Sequence, residues 1–236
     1  MDIQYKNRLK TIQHLVEEKG SINNLLYTNP LVCNDFDKDI KEVAEILLPF
    51  SIGIEIECFQ KENFNLQDFT SIPNIMDVDI DKGEQRFRIP NGLNGLKCLY
   101  NISLMLYKNS QENFGSGIHY HIDCTSFFDK LTKDILTDNT NSIIKELEHW
   151  NYKGTYNTKG ISFKTEHYWI RRQTCFKTLE CRIGEMTFDY KILFQRIVHL
   201  SEIIKDLKYI CEVKSDISSK YSKNIYKVLQ NRTEKL

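Results

Sequence analysis

The sequence predicts an α+β fold: an antiparallel or mixed sheet with helices on one face and an open site on the other. Three observations predict it. Residues 52–58 (Ile-Gly-Ile-Glu-Ile-Glu-Cys), 115–123 (Gly-Ser-Gly-Ile-His-Tyr-His-Ile-Asp) and 178–183 (Thr-Leu-Glu-Cys-Arg-Ile) alternate as strands and carry charged or imidazole side chains two apart. Segments with apolar residues at helical spacing lie between and around them. The strands after the first are too far apart in the chain for a meander.

The elements follow in order. Residues 5–19 carry Leu9, Ile12, Leu15 and Val16 at helical spacing, and Gly20 follows as a stop. Residues 21–38 are mostly polar and contain Pro30, which predicts a connector. A second short helix is expected over 39–48, ended by Pro49. The first motif strand occupies 50–59. Residues 61–82 are acidic and weakly periodic, predicting a loop with one short element. Residues 84–89 alternate as a strand and stop at Pro90. A turn at 91–94 leads into a helix over 96–107. The second motif strand spans 117–124. Residues 126–150 are expected to be mostly helical, with a break near 137–140. Gly154 and Gly160 among polar residues predict a mobile loop over 152–162. Two strands joined by a tight turn are expected at 165–172 and 176–184. Residues 188–214 read as one long amphipathic helix, followed by a polar segment and a last short helix near 224–230.

Side chains alternate between faces along a strand. Glu55 and Glu57 therefore share a face, as do His119 and His121, and Glu180 and Arg182. The residues between them, Ile56, Tyr120 and Cys181, suit a packed interior. Carboxylates and imidazoles are seldom placed in an interior unless something pairs them. One sheet gathering all three pairs would make a surface rich in metal ligands, with an arginine beside it. Two rises of about 3.3 Å separate Glu55 from Glu57, so each carboxylate can serve a different ion. Hard oxygen ligands suit Mg²⁺ or Mn²⁺.

Plainer readings stand beside these. Glu55 and Glu57 can be the wet side of a strand, His119 and His121 two satisfied structural histidines, and Glu180 with Arg182 a surface ion pair. His119 and His121 also suit a Zn²⁺ or Fe²⁺ hydrolase or a cupin-like enzyme. Against that, His149, His167 and His199 stand at no recognisable ligand spacing, and Asp123 and Cys124 stand where a cupin pattern expects glutamate. Glu84 opens a strand and is a further candidate ligand. Asp77 and Asp79 form an acidic stretch, exposed loop being its commoner role. One of Arg171 and Arg172 is expected to point into the site. Cys58, Cys124 and Cys181 lie on the opposite face by parity and read as core.

Composition excludes several classes. The 236 residues suffice for one large domain, or a domain with an appended helical segment. Lys+Arg and Asp+Glu both number 32, which gives no nucleic-acid or anionic-membrane footprint. The count of 7 cysteines is odd, dispersed and free of CxxC, against a disulfide framework or a thiolate zinc site. The start has no signal-peptide shape and no apolar run can span a bilayer. A reducing cytoplasm is the expected location. Nothing in the sequence fixes an oligomeric state.

Gly53-Ile-Glu-Ile-Glu57, Gly117-Ile-His-Tyr-His-Ile-Asp123 and Thr178-Leu-Glu-Cys-Arg-Ile183, with Thr187 and Asp189 following, together resemble the amidoligase family. That family belongs to the carboxylate–amine ligase superfamily, with glutamine synthetase and glutamate–cysteine ligase. Residues 115–121 are also similar to the Gly-rich His-x-His segment of glutamine synthetase. The resemblance covers 52–189 and implies a glutamine synthetase-like antiparallel sheet curved into a half-barrel, with the site on its concave face. The helical segment expected at 1–48 and the tail or helix at 215–236 lie outside the match, and a catalytic domain is expected over 49–214. The resemblance implies ATP and two or more Mg²⁺ or Mn²⁺ ions. Glu55, His119 and Glu180 would hold the ion bridging the phosphates, and Glu57, with Glu84 as a further candidate, the ion near the acceptor carboxylate. His121 would lie near the nucleotide phosphates. Arg182, with Arg171 or Arg172, would neutralise the transferred phosphoryl group. The expected reaction joins a carboxylate to an amine through an acyl phosphate, either partner being a small molecule, peptide or protein. A degenerate, non-catalytic relative acting as a binding protein is the further alternative.

Overall fold

Asp37 opens the first well-capped helix. Its carboxylate accepts from the backbone N–H groups of Asp39 and Ile40, and Ile40, Val43, Ala44 and Leu47 fall on the buried face. The computed structural model describes residues 17–81, 83–111, 116–148, 158–162 and 168–233. In chain order these form α1 (Gly20–Thr28), α2 (Lys38–Leu47), β1 (Ile52–Ile56), β2 (Phe59–Gln60), α3 (Leu66–Thr70), β3 (Asp77–Ile80) and β4 (Gln85–Ile89). They continue as α4 (Gly92–Asn109), β5 (Ser110–Gln111), β6 (Gly117–Asp123), α5 (Lys133–Leu147), β7 (Thr158–Ser162), β8 (Tyr168–Gln173), β9 (Thr178–Glu185) and α6 (Tyr190–Thr233). Among the described residues no helix is long and apolar enough to cross a membrane.

The fold is α+β, as the sequence predicts. Seven strands form one open sheet in the order β3-β4-β1-β6-β9-β8-β7. Every pairing is antiparallel except β7 with β8, which is parallel. β2 and β5 form a separate small pair. One face of the large sheet is apolar: Ile52, Ile54, Ile56, Phe87, Ile118, Tyr120, Leu179 and Cys181 are buried there. α4 lays Leu96, Leu99, Ile102 and Leu106 into the same core, and α6 adds Leu193, Ile197, Leu200 and Ile204. Leu26 of α1 and Val43 of α2 join that cluster too, so the N-terminal helices share the sheet's core. At the start of α4 the chain passes very close to itself. A Cβ on Gly95 would lie 1.9 Å from the Pro90 carbonyl oxygen and 2.6 Å from Leu48 Cδ2.

Several expectations are corrected. The predicted helix over 5–19 falls largely outside the described residues. Residues 17–18 are helical and Lys19 is a turn, so a helix does end just before Gly20; another starts there at once, and the predicted connector contains α1 and a 3-10 turn at Pro30–Val32. Tertiary packing outweighs the weak local propensity there: Leu26 is buried, and the Tyr190 hydroxyl donates to its carbonyl. The expected break near 137–140 is absent. Thr132 caps α5, and the Asn139 amide and Thr140 hydroxyl donate to the Ile135 and Leu136 carbonyls within the helix. The stretch 61–82 contains a strand, β3, besides its one short helix. Residues 158–162 of the predicted loop form β7, and 152–157 lie outside the described residues. α6 runs unbroken from Tyr190 to Thr233, because no proline or glycine interrupts the polar segment after Lys214.

Candidate active site

The sheet's other face collects the polar residues. β1 lies between β4 and β6, so Glu55 pairs in register with Arg86 on one side and His119 on the other. β6 lies between β1 and β9, which sets His121 opposite both Gly53 and Glu180. Gly53 leaves the room: a Cβ there would approach His121 Cβ at 3.2 Å.

Glu55 is the hub. Its Oε2 is 3.2 Å from His119 Nδ1 and its Oε1 is 3.2 Å from His121 Nε2. Burial works against its ionisation, but hydrogen bonds and charge from the two imidazoles outweigh it. They hold its carboxyl well below the ordinary carboxylate range. Glu84 goes the other way. Burial, then the Glu55 charge beside it, push its carboxyl up, although Arg86 pairs with it. His119 is buried, with Nε2 3.5 Å from Glu57 Oε1. Glu57 also accepts from the Gly117 N–H at 3.0 Å.

Glu180 is 1 % exposed. Arg182 NH1 donates to its Oε1 at 2.7 Å and the Gln173 amide to its Oε2 at 2.8 Å. Arg171 NH1 lies 3.8 Å from Oε2, and His121 Nε2 lies 4.0 Å from Oε1. Glu180 is therefore a buried carboxylate surrounded by cationic and amide donors.

Among the described residues, two groups of three side chains bring their ligand atoms within 4.8 Å of one another: Glu55, Glu84 and His119, and Glu55, His121 and Glu180. Adjacent ligands of an octahedral ion bound at about 2.1 Å lie about 3 Å apart, so spacings of this order can close onto an ion. The grouping differs from the ligand sets the resemblance implied, which placed His119 with Glu55 and Glu180. In this grouping His121, not His119, stands with Glu180, which it faces in the β6–β9 register beyond an irregularity between Ile118 and Tyr120. Glu57 belongs to neither group, its carboxylate being tied to the backbone of Gly117.

The two arginines separate. Arg171 faces the site. Arg172 is turned to the opposite side, where Nε donates to the Leu131 carbonyl at 2.9 Å and NH2 to the Phe128 carbonyl at 3.0 Å. Its guanidinium also lies 3.8 Å over the Phe128 ring. Arg172 is thus removed from the candidate ligand-binding residues. Truncation to Arg172→Ala is expected to cost about 2–3 kcal/mol of stability, from two charge-assisted bonds and the stack. Arg171→Ala, on the wet side, should cost less than about 1 kcal/mol. Urea unfolding of both variants checks the contrast; equal losses would mean that the two side chains are not divided this way.

Two cavities open over this face. One of about 620 Å³ holds Glu57, Glu84, His119, Arg171, Glu180 and Arg182. The other, about 380 Å³, is walled by Ser51, Asp77, Arg88, Asp123 and Thr178. They share Glu55, Arg86, His121 and Phe176. Phe176 sits in the β8–β9 turn and is 70 % exposed, a large apolar ring at the rim of both. Sequence reasoning missed Arg86, Gln173 and Phe176. Arg86 was findable: Phe87 and Ile89 face the core, so Arg86 and Arg88 must face the site. Cys58, Cys124 and Cys181 are buried as expected. Burial pushes the Cys58 thiol up to about 11 and the Cys124 thiol to about 12, which disfavours a thiolate nucleophile.

Neither a scan of protein-family models nor a search of curated proteins finds a match to this chain.

Proposed function

We propose that the chain is an ATP-dependent carboxylate–amine ligase that forms an amide bond through an acyl phosphate. The observation that carries this reading is the single polar sheet face on which Glu55, His119, His121, Glu180, Arg171 and Arg182 converge. The half-barrel likeness to glutamine synthetase belongs to the same proposal, and the open, mostly antiparallel sheet supports it.

A carboxylate does not condense with an amine at neutral pH, because its leaving group is oxide. ATP would supply the phosphoryl group that converts that oxygen into phosphate, and a divalent Mg²⁺ or Mn²⁺ would supply charge to its oxygens when bound. Glu55, His121 and Glu180 are the residues that would hold the ion. Arg171 and Arg182, held beside Glu180, present cationic charge toward the 620 Å³ cavity where phosphoryl oxygens would lie. The smaller cavity offers Asp77, Asp123 and Arg88 to orient a substrate. No step needs a serine or cysteine nucleophile. The zinc or iron hydrolase alternative draws less support: His119 and His121 fall in different ligand groups.

Calorimetric titration with a non-hydrolysable ATP analogue, with and without Mg²⁺, tests the proposal. Wild type should bind in a metal-dependent way, and Glu55→Gln should bind at least tenfold more weakly. A screen of acid and amine pairs for phosphate release would follow. Metal-independent binding unaffected by the substitution would remove the ligase reading. Absence of binding in both proteins would favour a non-catalytic relative.

A further inference from the structure

A histidine binds a divalent ion through a ring nitrogen that carries no proton, so in the neutral ring the proton must sit on the other nitrogen. The two nitrogens of His121 face different chemistry. Nε2 lies 3.2 Å from Glu55 Oε1 and 4.0 Å from Glu180 Oε1, inside the ligand group proposed above. It is buried and makes no well-formed hydrogen bond. Nδ1 lies 3.4 Å from Thr178 Oγ1, long for a hydrogen bond but within reach of one. His119 differs, because a carboxylate stands at each of its nitrogens, Glu55 at Nδ1 and Glu57 at Nε2.

The fold sets the Thr178 hydroxyl in this place. Thr178 pairs with Asp123 in the β6–β9 register, two positions from the pairing of His121 with Glu180, so it lies diagonal to His121 on the polar face. It is buried, and its branched Cβ leaves few side-chain rotamers. A hydroxyl oxygen accepts as well as donates. Accepting from Nδ1–H, it leaves Nε2 as a lone pair among carboxylate oxygens, an arrangement that repels until a cation stands between them. Without that oxygen, no other acceptor for Nδ1 is in place among the described residues. The proton then moves to Nε2, where Glu55 draws it and where it blocks an ion. We infer that Thr178 is a positioning residue, which takes the Nδ1 proton of His121 so that Nε2 is free to bind a divalent ion with Glu55 and Glu180. The inference rests on the metal reading proposed above and adds a residue that touches no ion itself.

Two measurements on the full chain test this. Nitrogen-15 NMR of the metal-free protein, recorded where the ring is neutral, should place the His121 proton on Nδ1 in wild type and on Nε2 in Thr178→Val. The resonance is assigned by its loss in His121→Asn. Mn²⁺ affinity, read from the electron paramagnetic resonance signal of the free ion, should fall about 10–100-fold in Thr178→Val and return in Thr178→Ser, which keeps the hydroxyl. A wild-type proton on Nε2 would overturn the inference while leaving the ligase reading intact. So would undiminished affinity in Thr178→Val, or a Thr178→Ser variant as weak as the valine one. Absence of Mn²⁺ binding in wild type would overturn the metal reading and this inference with it. If Thr178→Val does not fold, the wild-type tautomer decides.

Discussion

Replacing Glu180 with alanine is expected to cost about 3–5 kcal/mol of folding stability. The carboxylate is almost fully buried and accepts from both Arg182 and Gln173, with Arg171 close by. Removing it leaves cationic and amide donors facing a cavity of their own making. The charge they were arranged to meet is gone, and water can only partly replace it. Glu180→Gln keeps the shape and one acceptor oxygen, so it should cost far less, about 1–2 kcal/mol. Yet it removes the formal charge from the group with Glu55 and His121, and with it the basis for binding a divalent ion. Urea denaturation of both variants, set beside their Mn²⁺ affinity, separates the two roles. A Gln variant as unstable as the Ala variant would make Glu180 a structural anchor alone.

Gly95→Ala should be as damaging, for an unrelated reason. In most helices this exchange stabilises by about 0.5–1 kcal/mol, since alanine loses less backbone freedom on folding. Here the added methyl would stand 1.9 Å from the Pro90 carbonyl oxygen and 2.6 Å from Leu48 Cδ2. Neither is the tip of a flexible polar side chain. One is the backbone leaving β4, and the other is a fully buried leucine. α4 would have to lift away from the sheet, and α4 buries Leu96, Leu99 and Ile102 beneath it. A loss of about 3 kcal/mol or more is expected. A thermal or urea transition shifted upward would contradict the close approach.

The chemistry of the site was legible because it rests on parity. Alternation alone put Glu55 with Glu57, His119 with His121 and Glu180 with Arg182, and burial of Ile56, Tyr120 and Cys181 follows the same rule. What parity does not contain is register. Whether a histidine meets Glu180 depends on how β6 slides against β9; beyond the irregularity between Ile118 and Tyr120 the register sets His121 opposite it. Arg171 and Arg172 differ by one position, so the face each takes waits on where β8 pairs with β9. The helix α1 was missed because local propensity over 21–28 was read without its packing, Leu26 being buried. The strand β7 was hidden because its partner is distant in kind: a parallel neighbour, with which no hairpin turn can join it.

The outer margin of the sheet carries a consequence of its own. β3 is the last strand beyond β4, and Asp77 and Asp79 alternate along it as exposed residues. A bare strand margin invites another chain to add itself by hydrogen bonding, and side-chain charge deters that. Asp79 also holds Arg86 in place. One carboxylate thus guards against unwanted strand addition while fixing the cation beside Glu55, and neutralising it would loosen the guanidinium and leave that margin stickier at once.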